Sequence, residues 1–288
     1  MSLAGTPEGT HAREGDLVQL VGLQHKNFIV RLREGGEFQS HRGVIRFDDL
    51  IGKEWGSQIF SHNGSPFFML PPSLSDLLRG LKRNTQILYP KDVGYILVTM
   101  GIGPGKFVVE AGTGSGSLTA AFAYAVGSSG CVSTYERRPE MQALAQKNLE
   151  ALGLESRVKW NLKDIAEGFA DRGADALFLD VANPWDYVNQ VREALTPGGF
   201  FGSILPTFNQ IAALIEALRA NHFAFIDVVE ILLRYYRTQP SRLRPTDRMV
   251  AHTGFLLFAR PIQPVSDGAS QRLLEEAGLA EDQDEGLE

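Results

Sequence analysis

Cysteine is almost absent from this sequence. The 288 residues include one cysteine, Cys131, so an internal disulfide framework and a cysteine-based zinc site are both excluded. Cys131 opens a run of β-forming residues, where a small apolar side chain suits a core position. We expect the chain to work without a bound metal ion.

Long apolar runs are lacking as well. No segment approaches the roughly 18 consecutive apolar residues of a membrane-spanning helix, and residues 1–6 lack the charged and apolar regions of an export signal. We therefore expect a cytoplasmic protein. A hydrophobic content of 43% over 288 residues is enough for a sizeable core in one large domain or two smaller ones.

The sequence has no excess of positive charge, and its acidic residues are concentrated at one end. The net charge is −6, yet residues 263–288 hold eight acidic residues and one arginine, which leaves the other 262 residues at +1. The composition of this segment is typical of a disordered, solubilising tail. The net charge therefore does not argue against a nucleic-acid partner for the rest of the chain.

Glycine, by contrast, is concentrated at one informative place. Residues 107–109 (Phe-Val-Val) predict a short buried strand, alternate glycines follow at Gly112, Gly114 and Gly116, and apolar residues from Leu118 onward recur with helical spacing. A strand, a glycine-rich turn and a helix bring backbone N–H groups and a helix N-terminus against a ligand. Glycine also permits positive φ and leaves no Cβ in the ligand's way. We expect a nucleotide-like cofactor at this turn.

The glycine spacing and a later acidic residue narrow the choice of cofactor. Dinucleotide-binding turns favour G-x-G-x-x-G, whereas the pattern here is G-x-G-x-G. Glu136, 20 residues after Gly116, ends the next predicted strand, where its carboxylate suits the two hydroxyls of a ribose. NAD and S-adenosylmethionine both carry such a ribose, so Glu136 supports a cofactor without distinguishing the two.

The residue pattern divides the chain into three regions. Residues 1–72 have short strand-like runs between turn residues and predict a small β-rich domain, for example a barrel. Residues 73–262 alternate strands and helices, which predicts an α/β, Rossmann-like fold with a seven-stranded doubly wound sheet. Residues 263–288 form the acidic tail. In the second region Pro90 favours an extended Tyr89, and we expect Asp92 to cap a helix that runs to about Met100.

Polar or glycine-rich positions follow four of the predicted strands. They are Gly112–Gly116, Glu136, Asp164 and Asp180. Ligands of doubly wound sheets bind beyond the carboxyl ends of the strands. We therefore expect these four positions to surround one site.

Several motifs together resemble those of the tRNA (adenine-58-N1)-methyltransferases, a family of class I S-adenosylmethionine-dependent enzymes. The motifs are Tyr89-Pro-Lys-Asp92, Glu110-Ala-Gly-Thr-Gly-Ser-Gly116, Tyr135-Glu-Arg-Arg-Pro139, Pro184-Trp185, Leu205-Pro206 with Gln210, and Arg244-Pro245 followed by His252-Thr-Gly-Phe-Leu256. The resemblance runs from the N-terminal β-rich region to about Pro261. It implies transfer of a methyl group from S-adenosylmethionine to N1 of an adenine in the T-loop of tRNA, by a protein that is usually a homotetramer.

The resemblance also assigns functions to individual residues. It implies that Asp180 and Tyr89 are catalytic. The cofactor-binding residues that we expect are Gln86, Glu110, Gly112, Thr113, Gly114, Gly116, Ser117, Leu118, Glu136, Arg137, Asp164, Ile165 and Asp180. By resemblance, Glu110 and the glycine loop hold the methionine portion, Glu136 the ribose and Asp164 the adenine amino group. Plainer roles remain as alternatives: a helix cap for Asp180, a surface ion pair for Glu136 and a core or interface aromatic for Tyr89.

The segment between the last two predicted strands is rich in arginine. Arg237, Arg242, Arg244 and Arg248 are interleaved with prolines and follow two adjacent tyrosines. Guanidinium groups bind phosphates, and aromatic rings stack on bases. We expect this segment to contact RNA, with a solvated surface loop as the alternative.

Two departures from the family pattern leave other functions open. Ala182-Asn183 stand before Pro184-Trp185 where the family has Pro or Met and then an acid, and Ile204 replaces a tyrosine that is frequent in bacterial relatives. Asn183-Pro184-Trp185 also resembles the Asn-Pro-Pro-aromatic motif of enzymes that methylate exocyclic nitrogens, so adenine N6 is an alternative target. An NAD(P)-dependent dehydrogenase is disfavoured by the glycine spacing, and a non-catalytic tRNA-binding subunit by the intact glycine loop.

Overall fold

A computed structural model describes residues 9–83 and 88–264 of the chain. Its first six strands are β1 (Leu17–Gly22), β2 (Asn27–Arg31), β3 (Glu37–Ser40), β4 (Gly43–Arg46), β5 (Gln58–Phe60) and β6 (Pro66–Leu70). Four of them form an antiparallel sheet in the order β2-β1-β6-β5, and β3 pairs with β4 as a separate hairpin.

The N-terminal sheet and hairpin share a small apolar core. Alternate residues of β1, Val18 and Leu20, are fully buried, and Leu20 lies opposite the buried Met69 of β6. Ile45 and Phe47 contribute from the hairpin side. The strand pairing does not close on itself within the described residues, so the region is an open sheet with a hairpin and not a barrel.

Two helices connect this β-rich region to the larger sheet. Helix α1 (Leu74–Gly80) begins with a capping box formed by Ser73 and Asp76. Helix α2 (Pro90–Thr99) begins directly after an extended Tyr89, as Pro90 predicts. The expectation that Asp92 caps this helix is wrong. Asp92 lies inside the first turn and is buried, and its carboxylate accepts hydrogen bonds from Lys91 and Thr253.

The larger sheet has seven strands. They are β7 (Phe107–Ala111), β8 (Cys131–Glu136), β9 (Val158–Leu162), β10 (Ala174–Leu179), β11 (Leu195–Leu205), β12 (Phe223–Val229) and β13 (Phe255–Pro261). Their order is β12-β13-β11-β10-β7-β8-β9. β13 runs in the direction opposite to that of the other six strands. The predicted α/β fold with a Rossmann-like, seven-stranded sheet is confirmed.

Consecutive residues of a strand point to opposite faces of the sheet, and helices cover both faces here. The remaining helices are α3 (Ser117–Val126), α4 (Pro139–Leu152), α5 (Val188–Ala194) and α6 (Phe208–Ala220). Val108 packs in the cluster that contains α1, α2, α3 and α4, whereas Val109 packs with α5 and α6. The central strand β7 is therefore buried on both faces, and the glycine loop that follows it starts from a fixed position.

Some predicted boundaries differ from the structure. The sequence predicts a helix from just after Asp180 to Leu195, whereas Pro184–Tyr187 form a 3₁₀ turn and α5 covers only seven residues. It also predicts a strand over residues 225–233, but β12 ends at Val229, where the chain leaves the sheet. The domain boundary at residue 72 stays a prediction. Residues 265–288, which contain almost all of the predicted tail, lie outside the described residues.

Candidate cofactor and substrate site

A cavity of about 250 Å³ lies at the carboxyl ends of β7, β8, β9 and β10. It is lined by Ala111, Gly112, Tyr135, Glu136, Arg137, Arg138, Lys163, Asp164, Ile165, Asp180, Val181, Ala182, Asn183 and Tyr187. The cavity brings the first glycine of the loop together with Glu136, Asp164 and Asp180. The structure thus places at least one residue from each of the four strand ends around a single cavity, while Gly114 and Gly116 do not line it; that this cavity is the functional site stays a prediction.

The glycines of the loop allow close packing of the chain against itself. Gly112 has φ +95°, and a Cβ there would lie 2.1 Å from the carbonyl oxygen of Asp180. Gly116 has φ +80°, and its Cβ would lie 2.9 Å from side-chain atoms of Ala145 and Leu149 in α4. At these two positions protein, and not a ligand, fills the space that the missing Cβ leaves. A side chain at Gly112 would push the loop away from the end of β10, and one at Gly116 would push it away from α4.

The N-terminus of α3 supplies the backbone donors that the sequence predicts. Gly116 is the N-cap residue, so the N–H groups of Ser117 and Leu118 have no acceptor within the helix. The side chains of Leu118 and Thr113 are less accessible to a ligand than these backbone N–H groups. Leu118 is buried in the apolar core, and Thr113 Oγ1 is 2.7 Å from Thr134 Oγ1 below the loop. Ser117 and Leu118 can therefore bind a ligand through their backbone.

Glu136 is held as a carboxylate in the wall of the cavity. Its Oε2 accepts a hydrogen bond from Gly114 N at 3.0 Å, and its Oε1 accepts from Arg138 Nε at 3.0 Å. Burial alone raises the pKa of this carboxyl group, but the hydrogen bonds from the side chain and backbone of Arg138 and from Gly114 outweigh it and hold the pKa below its usual value. Glu136 therefore forms an ion pair with Arg138 and lines the cavity at the same time, so the ion pair does not exclude a contact with a ligand.

Glu110 lies beneath the loop and does not line the cavity. It is fully buried, and its Oε2 accepts hydrogen bonds from Thr119 Oγ1 at 2.6 Å and Thr134 Oγ1 at 2.8 Å. Desolvation raises the pKa of the Glu110 carboxyl to about 8. Its Oε1 has no hydrogen-bond partner among the described residues. The predicted contact of Glu110 with the methionine portion stays a prediction, with Oε1 as the free atom.

Asp180 presents an unpaired carboxyl group to the cavity. Its backbone N–H donates to Ala111 O at 2.9 Å, which extends the pairing of β10 with β7 and fixes where the side chain begins. Asp180 is exposed to the open cavity and its carboxyl group has no hydrogen-bond partner in the described part of the chain, but the protein packed around the carboxyl still desolvates it enough to raise its pKa to about 6. The alternative role as a helix cap has no support, since the 3₁₀ turn begins after Asn183.

The loop after β9 forms the opposite wall. Asp164 Oδ1 accepts a hydrogen bond from Ala166 N at 2.9 Å, which caps a short 3₁₀ turn. Ile165 is buried in that turn and lines the cavity. One oxygen of Asp164 is thus used to shape the loop, while the side chain of Ile165 offers an apolar surface to a planar ligand.

Tyr89 lines a different cavity from Asp180. This second cavity, of about 530 Å³, is lined by Arg79, Arg83, Leu88, Tyr89, Pro90, Lys91, Leu233, Tyr235, Arg248, Met249 and Val250. We call it the basic cavity, because its lining holds four basic and no acidic side chains. The two residues predicted to be catalytic therefore do not share one cavity, and Gln86 lies outside the described residues.

Residues 230–253, here called the arginine arm, run between β12 and β13 and form one wall of the basic cavity. The arm folds back on itself through hydrogen bonds from Arg237 N to Arg244 O and from Thr246 N to Tyr235 O, both of 2.8 Å. Arg237 and Arg244 both form ion pairs with Asp247, at 2.5 and 3.2 Å. Arg242 and Arg248 form no ion pair with another described residue. The four arginines predicted to bind RNA thus differ in how much of their charge is already paired.

Sequence reasoning missed several residues that line the first cavity. Arg138 forms an ion pair with Glu136. Its position two residues after Glu136 in the sequence could have indicated this contact. Lys163, next to Asp164, is the third basic residue of the lining, after Arg137 and Arg138. Tyr187 reaches the cavity only because the chain after Asp180 forms a 3₁₀ turn. That turn depends on tertiary structure, so no periodic pattern in the sequence reveals Tyr187.

The donors and acceptors of the first cavity suit a charged nucleoside cofactor. Carboxylates of Glu136 and Asp164 accept hydrogen bonds from hydroxyl and amino groups, and Ile165 and Tyr187 provide apolar surface. The first turn of α3, which follows the glycine loop but does not line the cavity, offers further N–H groups to a carboxylate. Buried polar atoms without partners, Glu110 Oε1 and Ser117 Oγ, lie at this loop. Within residues 9–83 and 88–264, no three His, Cys, Asp or Glu side chains are arranged to hold a metal ion.

Family models match most of the chain. The family described as "tRNA methyltransferase complex GCD14 subunit" matches residues 72–253, and the family described as "TrmI-like N-terminal" matches residues 12–59. The tRNA (adenine(57)-N(1)/adenine(58)-N(1))-methyltransferase TrmI of Methanocaldococcus jannaschii is 32% identical over 273 residues, which cover 85% of this chain and 95% of that protein.

Solved structures are similar over almost the full described length. A crystal structure of a SAM-dependent O-methyltransferase from Thermotoga maritima has a TM-score of 0.81 and 40% identity, and the match covers 90% of this chain and 97% of that chain. The tRNA (m1A58) methyltransferase TrmI from Aquifex aeolicus has a TM-score of 0.74 and 37% identity, with 88% and 100% covered. Both matches include the N-terminal region as well as the seven-stranded sheet.

Proposed function

The chain belongs to the tRNA methyltransferase complex GCD14 subunit family, and we propose that it transfers a methyl group from S-adenosylmethionine to N1 of adenine 58 in the T-loop of tRNA. The observation that carries the proposal is the cavity at the four strand ends, with the unpaired Asp180 beside the glycine loop. Relatives whose names state this reaction match this chain over four fifths of its length or more.

We propose that the first cavity holds S-adenosylmethionine. Glu136 would accept hydrogen bonds from the ribose, since its Oε2 accepts one hydrogen bond of 3.0 Å from Gly114 N and a longer one of 3.4 Å from Arg138 Nη2. Asp164 and Ile165 would hold the adenine, and the N–H groups of Ser117 and Leu118 the carboxylate of the methionine portion. When bound, this cofactor supplies an electrophilic methyl group on a sulfonium sulfur.

The proposed role of Asp180 is to orient the target adenine and to stabilise its charge. Adenine N1 has an in-plane lone pair and needs no general base to act as a nucleophile. Methylation leaves a positive charge on the ring that extends to N6. A carboxylate that accepts a hydrogen bond from N6–H stabilises this charge more in the transition state than in the ground state. Asp180 is suited to this task because its own carboxyl group has no partner among the described residues.

The basic cavity is the proposed route by which RNA reaches this site. The target adenine is stacked in folded tRNA and must leave its stack at a cost of a few kcal/mol. Tyr89 and Tyr235 offer aromatic surface for an extruded base, and Arg79, Arg83 and Arg248 offer positive charge to phosphates. Binding of tRNA by Arg237, Arg242, Arg244 and Arg248 is part of this proposal.

Methylation at N6 is the weaker alternative. It depends on the similarity of Asn183-Pro184-Trp185 to the motif of exocyclic amino-methyltransferases. Here the side-chain amide of Asn183 donates to the carboxylate of Asp186 within the 3₁₀ turn, so it is occupied in shaping the backbone. We further propose that residues 1–72 form a separate domain and that the protein works as a homotetramer in the cytoplasm.

Mapping the methylated nucleoside tests the proposal. Purified protein is incubated with unmodified tRNA and S-adenosylmethionine, and the digested tRNA is analysed by mass spectrometry. We expect 1-methyladenosine at position 58, and the same experiment shows whether position 57 is also modified. Methylation at N6 would favour the alternative, and no methyl transfer by a protein that binds the cofactor would favour a non-catalytic subunit.

A further inference from the structure

Three sequence motifs with no assigned role meet at the base of the arginine arm. They are Lys91-Asp92 at the start of α2, Pro206 after β11, and His252-Thr253 before β13. Lys91 Nζ donates to Asp92 Oδ1 and to Thr253 Oγ1, both at 2.6 Å, and Thr253 Oγ1 donates to Asp92 Oδ2 at 3.1 Å. A threonine hydroxyl thus completes a closed triangle between residues about 160 positions apart in the sequence.

The Lys91 and Asp92 side chains of this triangle are buried, so the loss of one of its hydrogen bonds is not compensated by water. The side chains of Lys91 and Asp92 are only 7% and 1% exposed. A buried ion pair is stable only when the remaining donors and acceptors are also satisfied. The Thr253 hydroxyl accepts from the ammonium group and donates to the carboxylate, so its removal leaves one donor and one acceptor unpaired at the same point.

A second contact holds the same part of the arm. His252 Nδ1 lies 2.6 Å from Glu230 Oε1, and His252 Nε2 lies 3.0 Å from Pro206 O. A carbonyl oxygen and a carboxylate are both acceptors, so both ring nitrogens donate when the ring is protonated. Glu230 follows β12 and His252 precedes β13, and the pair therefore closes the two ends of the arm against each other.

The position of the triangle links it to the basic cavity. Lys91 and Tyr89 form the wall contributed by the start of α2, while Tyr235, Arg248 and Val250 form the wall contributed by the arm. Thr253 is the arm-side member of the triangle, three residues after Val250. The separation of the two walls is consequently set by the bonds between Thr253 and the Lys91–Asp92 pair.

We propose that Thr253 is a positioning residue for RNA binding. Its hydroxyl holds the base of the arginine arm against α2 and thereby sets the width of the basic cavity between Tyr89 and Arg248. The residue does not touch the first cavity, so its effect is on the RNA and not on the cofactor. This inference rests on the proposed methylation of tRNA.

The test compares Thr253→Val, which keeps the shape and removes the hydroxyl, with Thr253→Ser, which keeps the hydroxyl. We expect Thr253→Val to raise the KM for tRNA about tenfold, the factor that corresponds to loss of about one hydrogen bond. The affinity for S-adenosylmethionine, measured by calorimetry, stays within about twofold of the wild type. Thr253→Ser restores the wild-type KM. Thr196→Val, an exposed threonine at the start of β11 and remote from the arm, is the matched control.

A merely structural role predicts a different pattern. Thr253→Val would then lower the melting temperature but leave the KM for tRNA unchanged at temperatures below both transitions, and that result overturns the inference. An equal loss of cofactor affinity also overturns it. If Thr253→Val does not fold, Asp92→Asn tests the same triangle with the same expected increase in KM. Failure of the wild type to methylate tRNA would contradict the proposed function, whereas a methylating wild type with an unaffected Thr253→Val contradicts only this inference.

Discussion

At the scale of the single residue, Asp180 has the environment of a group that acts on a substrate. Its carboxyl group lies in the cavity without a partner among the described residues. We expect Asp180→Ala to lower kcat by about 10²–10³, the size of one preorganised electrostatic contact, with cofactor affinity close to wild type. Asp180→Asn keeps part of the orientation but not the charge and falls between the two. Near-normal single-turnover methylation by the alanine variant would remove Asp180 from the mechanism.

The pH dependence of methylation follows from the same residue. Desolvation raises the pKa of the Asp180 carboxyl to about 6, and the ionised form is the one that stabilises a positively charged ring. The single-turnover rate should therefore rise as pH increases through about 6 and level off above it. Asp180→Asn cannot ionise at this position and should lack the rise. A wild-type profile that is flat between pH 5 and 7.5, with tRNA binding saturated, would contradict this role.

Glu110 gives a prediction about stability instead of rate. Burial raises the pKa of its carboxyl from 4.5 to about 8 in the folded protein, so folding favours the protonated form. The stability associated with that proton is complete below about pH 4.5 and is lost as pH rises through about 8.

Glu110→Gln keeps an acceptor for Thr119 and Thr134 but has no charge to bury. We expect its unfolding free energy to exceed that of wild type at pH 9 by at least about 2 kcal/mol, at about 1.4 kcal/mol per pKa unit. The difference should shrink towards pH 5. Denaturant titrations across this pH range, with Glu216→Gln on the exposed face of α6 as control, measure it. A pH-independent difference would mean that Glu110 is ionised and paired in the folded protein.

At the scale of the element, the arginine arm contains both arginines that form ion pairs and arginines that form none with a described residue. Arg237 and Arg244 share Asp247, whereas Arg242 and Arg248 have no ion pair with a described residue. We expect Arg242→Ala with Arg248→Ala to weaken tRNA binding and to flatten its salt dependence. Each lost phosphate contact lowers the log–log slope by roughly 0.7–0.9.

Asp247→Asn provides the opposite change in the same element. It releases Arg237 and Arg244 from their carboxylate partner, so tRNA affinity at low salt should increase and the slope should become steeper. Filter binding at several salt concentrations measures both variants, with cofactor affinity as the control. An unchanged slope in the double arginine variant would make the arm an ordinary solvated surface.

The elements differ in how well the sequence predicts them. The unit of β7, glycine loop and α3 follows from local periodicity, and helix α4 from Pro139 at its start and Gly153 at its end. The cleft residues Glu136, Asp164 and Asp180 follow from a rule about strand ends, and the family from short motifs. These features need no knowledge of distant contacts, and the family and the fold are both confirmed.

Features that depend on distant contacts could not be predicted. Asp92 has the sequence context of a helix cap, but its carboxylate pairs with Lys91 and with Thr253 from far along the chain. Tyr89 and Asp180 both belong to motifs of the family but line different cavities. Glu110 precedes the loop in sequence, yet the threonines of α3 and β8 hold its carboxyl group below it.

At the scale of the whole molecule, the N-terminal sheet is attached to the larger α/β unit by limited contacts. Leu17 and Ile29 pack with the helices of that unit, but a cavity of about 460 Å³ remains between β2, α1 and α4. Arg31 crosses this junction: one nitrogen donates to Gly15 O at 2.7 Å and the other to Ala151 O at 2.8 Å. Desolvation lowers the pKa of its guanidinium, so these carbonyls replace water that the side chain has lost.

The junction makes a testable difference to how the molecule unfolds. Arg31→Met keeps the apolar stem and removes both donors, which leaves the carbonyl of Ala151 without its partner from the N-terminal sheet. Two hydrogen bonds from a charged group amount to about 3–6 kcal/mol, some of which water in the cavity recovers. We expect the N-terminal sheet to unfold first in this variant, so that calorimetry shows two transitions where the wild type shows one. Arg46→Met, an exposed arginine at the end of β4, should leave a single transition. If Arg31→Met also unfolds in one transition at the wild-type temperature, the apolar contacts of Leu17 and Ile29 are sufficient to couple the two parts.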